Sequence, residues 1–261
     1  MSTYPLTAPT SARLRAPRLG RGGKQVAVFL LAYLAYSAAR WVTVGSLPDA
    51  TANAHWIVNL ERSLGVEVEG TVQHALTGTV ALWVLNHLYL AAQLIVVPGA
   101  LFFLYKRSKP AYERLRNTIL ATWLLSIPVY ALFPVAPPRL AGIGMVDTIT
   151  QQTGFAMDSK LTTSFYNELA AVPSLHVGFA FAVGIAIAAA ARNPLVKLLA
   201  HLWGPAIALA VVATGNHFVF DIAAGMVAAA LGYGLGHLAG RRGDAAFPKL
   251  PTLAQGHHAA A

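Results

Sequence analysis

Close to the end of the apolar part of the chain, Thr214-Gly215-Asn216-His217-Phe218-Val219-Phe220-Asp221 joins one apolar segment to the next. On a helix, His217 and Asp221 stand at i and i+4 and share a face. That spacing lets a carboxylate fix the tautomer of an imidazole while the other ring nitrogen faces outward to do chemistry. An ionisable pair at the end of a membrane-crossing helix is costly to keep, which marks it as functional. Two more polar groups stand at segment ends: Ser174 and His176 open one apolar run, and Arg139 follows another.

Together these residues describe an anion site. Two helix N-termini directed at one point favour a phosphate through their free N–H groups and dipoles, and an arginine binds it by a forked contact. Ser174 can donate a hydroxyl hydrogen bond to the anion or cap the helix it opens. The chemistry that fits is phosphoryl transfer in two steps. Neutral His217, oriented by Asp221, attacks phosphorus to give a phosphohistidine. His176 protonates the leaving oxygen and then deprotonates the second nucleophile. Arg139 and the helix ends stabilise charge on the equatorial oxygens. This scheme needs no metal and no cofactor. The rival chemistry is a metal held by two histidines and one carboxylate, which a chelator would inactivate.

The elements that position these groups follow from composition. The chain has 261 residues, 56% hydrophobic and only 11% charged, against about 25% charged in an ordinary soluble domain. Several apolar runs approach bilayer-spanning length. The expected fold class is all-α, a polytopic membrane protein built as a six-transmembrane-helix bundle. Residues 1–24 are a polar tail carrying Arg13, Arg15, Arg18, Arg21 and Lys24; residues 25–240 form the membrane domain; residues 241–261 are a second polar tail. The first span runs from Val26 to Val44 with Arg40 snorkelling at its end, a cleaved signal peptide ending near Ala39 being the alternative. Residues 51–78 place Trp56, Ile57, Leu60 and Leu64 on one helical face, opposite Asn59, Glu61 and Arg62. That pattern is an interfacial helix or a packed outer loop. The remaining spans are Val80–Tyr105, kinked at Pro98, then Asn117–Phe133, Ser174–Ala191, Leu195–Ala213 and His217–Leu238. Lys106–Arg116 reads as a basic loop, and 134–172 as too polar and broken to cross. With no cysteine, thiolate metal sites and disulfides are excluded.

Six spans put 15 of the 19 Lys and Arg residues on one side. By the positive-inside rule that side is the cytoplasm, with both termini in it. The net charge of +9 is thus a matter of topology, and nucleic acid is not an expected partner. The same alternation collects Arg139, Ser174, His176, His217 and Asp221 on the outer face. Other polar residues carry less. Gly232, Gly236 and Gly240 read as a close-packing stripe. His87 reads as a packed, hydrogen-bonded histidine. His55, His74, His201 and His237 have no evident partner, and His257 and His258 lie in the polar tail. Tyr166 and Asn167 come close enough to the second cluster to reach a pocket.

Ala171-Val172-Pro173-Ser174-Leu175-His176, followed by Gly215-Asn216-His217 and Asp221, resembles the type-2 phosphatidic acid phosphatase superfamily. Phe133-Pro134-Val135-Ala136-Pro137-Pro138-Arg139 resembles the first motif of one branch. That branch contains fungal inositol phosphorylceramide synthase and its bacterial relatives. The resemblance spans roughly residues 25–240. It implies His217 as nucleophile, Asp221 as its partner and His176 as acid. It also implies a membrane enzyme for lipid phosphates, in the plasma membrane of a bacterium. The acceptor is water or an alcohol such as inositol or a diacylglycerol. Three positions depart from the superfamily pattern: Leu132 and Val211 stand where a lysine and an arginine are usual, and Leu175 where glycine is. A pocket with fewer cations suits a phosphodiester. A non-enzymatic lipid or anion transporter is the rival class, against which the sequence shows no inverted repeat and no paired broken helices.

Overall fold

The fold was established from a computed structural model, which describes residues 20–42, 45–165 and 167–246. The tail through residue 19, Thr43, Val44, Tyr166 and the segment from 247 onward, including His257 and His258, lie outside the described residues. Helices α1 (Arg21–Val42), α2 (Leu47–Leu64), α3 (Glu69–Leu76), α4 (Val80–Ala91), α5 (Val97–Arg107) and α6 (Lys109–Leu132) come first. Two short helices, α7 (Thr148–Thr153) and α8 (Lys160–Phe165), interrupt the long connection that follows. Then come α9 (Leu175–Ala190), α10 (Pro194–Ala213) and α11 (Val219–Ala246). Among the described residues the one β feature is an isolated parallel bridge between Val135 and Ala170.

Among the described residues four helical stretches are long and apolar enough to cross a bilayer: Val80–Arg107, Lys109–Leu132, Pro194–Ala213 and Val219–Leu238. The chain is therefore an integral membrane protein. Helix α9 is apolar but shorter. The stretch Val80–Arg107 is continuous because a π-helical turn, Ala92–Val96, absorbs Pro98, whose missing N–H and ring cannot be accommodated in a regular ladder.

Some helix boundaries and one buried face differ from the sequence expectation. The basic segment Lys106–Arg116 is not a loop. Extended Ser108 alone separates α5 from α6, and Pro110 in the first turn, where its missing N–H costs nothing, lets α6 start at Lys109. Helix α11 continues past Gly240 to Ala246. In α2 the protein-facing side is Ala50, Ala54, Ile57, Val58 and Glu61, whereas Trp56 and Leu64 are exposed. Ala50 and Ala54 on that face let α2 approach closely, and Trp56 instead lays its ring edge-on against Phe133 and Phe220.

Helix α11 packs on α6 and α9, and α9 on α10. Gly232 lies against Thr122 and Thr118, and Gly236 against Asn117, so α6 and α11 run antiparallel. Helix α1 lies along α6. Its Gln25 accepts from Tyr112 (3.0 Å) and Arg116 (2.7 Å), and its Tyr36 hydroxyl meets the Asn167 N–H at 3.2 Å. The bundle therefore has one end built from 133–165, 167–174 and 213–219. Its other end carries Lys106, Arg107, Lys109, Arg114, Arg116, Arg192 and Lys197. Gly225 sets the closest approach near the first of these ends: a Cβ there would collide with the backbone carbonyl of Ser174. Gly225→Ala is expected to destabilise the protein by about 1–3 kcal/mol, as overpacking against rigid backbone does. Thermal unfolding in detergent would show it as a lowered midpoint.

Candidate active site

The site begins where α10 ends. Gly215 takes a left-handed conformation (φ +72°), and the chain folds back so that the Asn216 and His217 N–H groups both donate to the Val211 carbonyl, at 3.0 and 3.1 Å. Any Cβ on Gly215 would also press on the Val146 carbonyl at 3.0 Å, so glycine serves this turn twice over. Phe218 then sinks completely into a cluster with Ile57, Ala54, Val135 and Val172. An anchored aromatic beside it fixes the backbone of His217.

Asp221, fully buried, holds the ring. Its Oδ2 accepts from His217 Nδ1 at 3.1 Å and from the Phe218 N–H at 2.9 Å. With Nδ1 carrying the proton, Nε2 of His217 is the unprotonated nitrogen. Opposite stands His176 in the first turn of α9, its ring stacked on Tyr89 with centroids 4.0 Å apart. The two histidine rings are 6.2 Å apart, centre to centre.

Arg139 is tied to the same turn. Its N–H donates to the Gly215 carbonyl at 2.9 Å, and its Nε to Asn216 Oδ1 at 3.1 Å. Asn216 is itself fixed by donating to the hydroxyl (2.9 Å) and carbonyl (3.2 Å) of Thr214. The guanidinium, 2% exposed, has Asp147 at 3.8 Å and Glu168 at 3.7 Å. Two carboxylates therefore offset its charge. His176, His217, Arg139 and Asn216 open onto one cavity of about 150 Å³, whose remaining wall includes Tyr36, Tyr89, Gln93, Tyr130, Asn167, Glu168 and Leu175. A larger hollow of about 570 Å³, between Leu115, Phe181, Ile185 and Met226, contains none of the predicted residues.

Ser174 is fully buried and does not line that cavity. Its hydroxyl accepts from the Val177 N–H at 3.4 Å as the N-cap of α9, and its own N–H donates to the Asp221 carbonyl at 3.1 Å. It ties α9, which carries His176, to the first turn of α11. Tyr130 reinforces the junction by donating to the carbonyl of Pro173, which follows a cis peptide bond, at 2.9 Å. His87 does not line the cavity; its ring lies tilted against Trp83, with centroids 4.0 Å apart and Nδ1 2.8 Å from the Trp83 carbonyl. His237 stacks on Tyr233 near the opposite end of α11.

The three departures from the superfamily pattern have visible settings. Val211 is fully buried among Ile207, Val177 and Ala180, leaving no place for a cation. Leu132 is 85% exposed and turned away from the cavity, and Leu175 forms part of the cavity wall. A shared metal would need His176, His217 and Asp221 to converge. Instead Asp221 sits behind His217, and among the described residues no three His, Asp or Glu side chains form such a group.

A family model described as the PAP2 superfamily, the type-2 phosphatidic acid phosphatases, matches residues 55–235. The chain belongs to the PAP2 superfamily. No curated protein and no solved structure matches it. Membership points to a lipid phosphatase or phosphotransferase and to lipid phosphates as substrates.

Sequence reasoning missed several residues of the site's frame. Gln73 donates to the Val146 carbonyl (3.0 Å) and the Ala213 carbonyl (3.2 Å) and accepts from the Val146 N–H (3.0 Å), stitching α3 to the turn below Arg139. Asn53 donates to the Pro134 carbonyl at 2.8 Å. Glu61 and Glu69 reach the first turn of α11. The available signal was the small-residue stripe Ala50, Ala54, Ile57, Glu61, spaced four, three and four, which ends on a carboxylate.

Proposed function

We propose that this PAP2 protein is a lipid phosphate phosphotransferase that works through a phosphohistidine on His217. One observation carries the reading: His217 is held through Nδ1 by buried Asp221, so that Nε2 serves a cavity shared with His176 and Arg139. In the first step, Nε2 of His217 attacks phosphorus and the bond from phosphorus to the leaving oxygen breaks. That oxygen takes a proton from the His176 imidazolium, for which the substrate anion is the countercharge. In the second step an acceptor hydroxyl gives its proton to His176 and attacks phosphorus. The P–N bond breaks, and neutral His217 is restored. Asp221 stabilises the developing positive charge on His217 throughout.

An alcohol acceptor, inositol-like or a diacylglycerol, is preferred to water because of what surrounds the phosphate position. Asp147 and Glu168 offset Arg139, which favours the single charge of a phosphodiester over a phosphomonoester dianion. Tyr36, Tyr89, Gln93, Asn167 and Glu168 give the wall hydroxyl, amide and carboxylate groups suited to a polyhydroxyl compound. The site lies at the outer leaflet of a bacterial plasma membrane. The cation-rich bundle end opposite it supports that sidedness. The course of α1 beside α6 supports a six-span bundle, and exposed Trp56 and Leu64 support α2 as an interfacial helix.

The test is purified protein incubated with phospholipid donors, with and without inositol or diacylglycerol, separating free phosphate from transferred headgroup. Acceptor-dependent product that a His217→Ala variant cannot make supports transfer. Free phosphate alone makes the protein a hydrolase, and identical behaviour of both proteins on every donor removes the catalytic reading. Arg139→Lys keeps the charge but loses both the fork and the Nε contact to Asn216. It is expected to lower kcat/KM about 10²-fold, measured on the best donor of the same panel.

A further inference from the structure

Two carboxyl groups outside the predicted catalytic set meet the backbone that carries His217. Glu61, on α2, is 1% exposed, and its Oε1 accepts from the Phe220 N–H at 2.6 Å. Glu69, opening α3, is 2% exposed, and its Oε1 accepts from the Val219 N–H at 2.8 Å. With Asp221 on the Phe218 N–H, the three successive N–H groups after His217 are each taken by a different carboxyl side chain. Helix starts leave these donors without intrahelical partners, and negative charge suits them. An ordinary N-cap covers such groups with one local residue. Here two of the three are covered from 150 and 159 residues away in sequence.

Three carboxylates so close together repel one another unless a proton is shared. The second oxygen of Glu61, Oε2, is buried with no donor reaching it. Glu69 is its hydrogen-bonding neighbour, and both Glu69 oxygens already accept, Oε2 from the Val68 N–H at 3.0 Å. A proton on Glu61 therefore satisfies its orphaned oxygen and gives Glu69 a donor.

We propose that Glu61 and Glu69 are positioning residues for His217, an acid–carboxylate pair sharing one proton that clamps the first turn of α11. The groups facing Glu61 are Glu69 from α3 and Asp221 from α11; its neighbour Arg62 is turned outward to Glu67. Among the described residues no cation acts on Glu61. Burial, with the Glu69 and Asp221 charges adding to it, pushes Glu61 up to about 8, against the lowering effect of the Phe220 N–H. Because the folded value lies above the ordinary 4.5, the unfolded chain loses this proton first as pH rises. The stabilisation is complete below about 4.5 and disappears as pH passes about 8.

The clamp serves the phosphohistidine reading, but part of its test does not depend on it. Glu61→Gln keeps an acceptor for Phe220 and a permanent donor for Glu69, whereas Glu61→Ala removes both. Thermal unfolding of the full chain in detergent is measured from pH 5 to 9, and kcat and KM on the best donor at each pH. The expected result is a wild-type midpoint that falls across this range and a Glu61→Gln midpoint that falls less. Glu61→Gln should hold kcat within about threefold at neutral pH, while Glu61→Ala loses on the order of a hundredfold in kcat with KM little changed, as expected for a slightly misplaced nucleophile. Superimposable pH profiles of wild type and Glu61→Gln in unfolding, or unchanged kcat in Glu61→Ala, would overturn the proposal. If His217→Ala remained active, the phosphohistidine reading would fail, while the unfolding profiles would still judge the clamp.

Discussion

His217→Ala is expected to lose activity by a factor on the order of 10⁴ or more, with the bundle intact. The size of the effect follows from the covalent role: without the imidazole no phosphoryl–enzyme bond forms, and the remaining groups can only bind and polarise the substrate. The fold should survive because the neighbouring backbone is secured by other residues. The Asn216 and His217 N–H groups bond to Val211, Phe218 fills the core beneath α2, and Ser174 bonds to the Asp221 carbonyl. Initial rates with saturating donor, together with an unchanged circular dichroism spectrum, check both halves. A loss below tenfold would mean that His217 is not the nucleophile.

Asp221→Asn is the second large effect, with an expected loss in kcat of about 10³–10⁴. The change is almost isosteric, so packing around this fully buried side chain is little disturbed. What changes is proton logic. Oδ2 now accepts from both His217 Nδ1 and the Phe218 N–H. An amide that turns its oxygen to Phe218 offers its NH₂ to Nδ1. That stabilises the tautomer with the proton on Nε2, the atom that must attack. If the oxygen stays on Nδ1, the positive charge developing on His217 has no counterion. Either way kcat falls while substrate binding at Arg139 is retained, so KM should move by no more than a few fold. A rise in KM as large as that expected loss, with kcat preserved, would assign Asp221 to substrate binding.

Much of the site was legible because its groups recur at helix ends. The His217–Asp221 pairing follows from their spacing, although α11 starts only at Val219, so that Asp221 reaches back to a His217 that precedes the helix rather than sharing a helical face with it. Charge alternation predicted that Arg139, His176 and His217 share an end of the bundle, and one cavity contains all three. Ser174 was ambiguous for a physical reason. A buried serine before an apolar helix can cap or bind with the same hydroxyl, and what decides, that Ser174 lies outside the cavity wall, has no sequence signature. The least legible part was residues 47–76. Amphipathic patterning there separates apolar from polar residues, yet the working face of α2 is small residues ending in an acid. Reading Glu61 as a solvated charge follows from hydropathy and fails because its partners are backbone N–H groups of a helix 159 residues away. The basic loop before α6 fails differently: charge was read as irregularity, though lysine, glutamate and arginine are good helix formers.

The most direct measurement is to trap the covalent intermediate. Wild-type protein is mixed with donor labelled in its phosphate, quenched with denaturant at alkaline pH where phosphohistidine persists, digested, and the labelled peptide sequenced by mass spectrometry. A phosphohistidine mechanism predicts one acid-labile adduct on His217, bearing the phosphoryl group bare or with its headgroup. The adduct should disappear on chase with acceptor and be absent from His217→Ala. Turnover of the donor with no adduct at His217 at any quench time, or with label on a different residue, would contradict it.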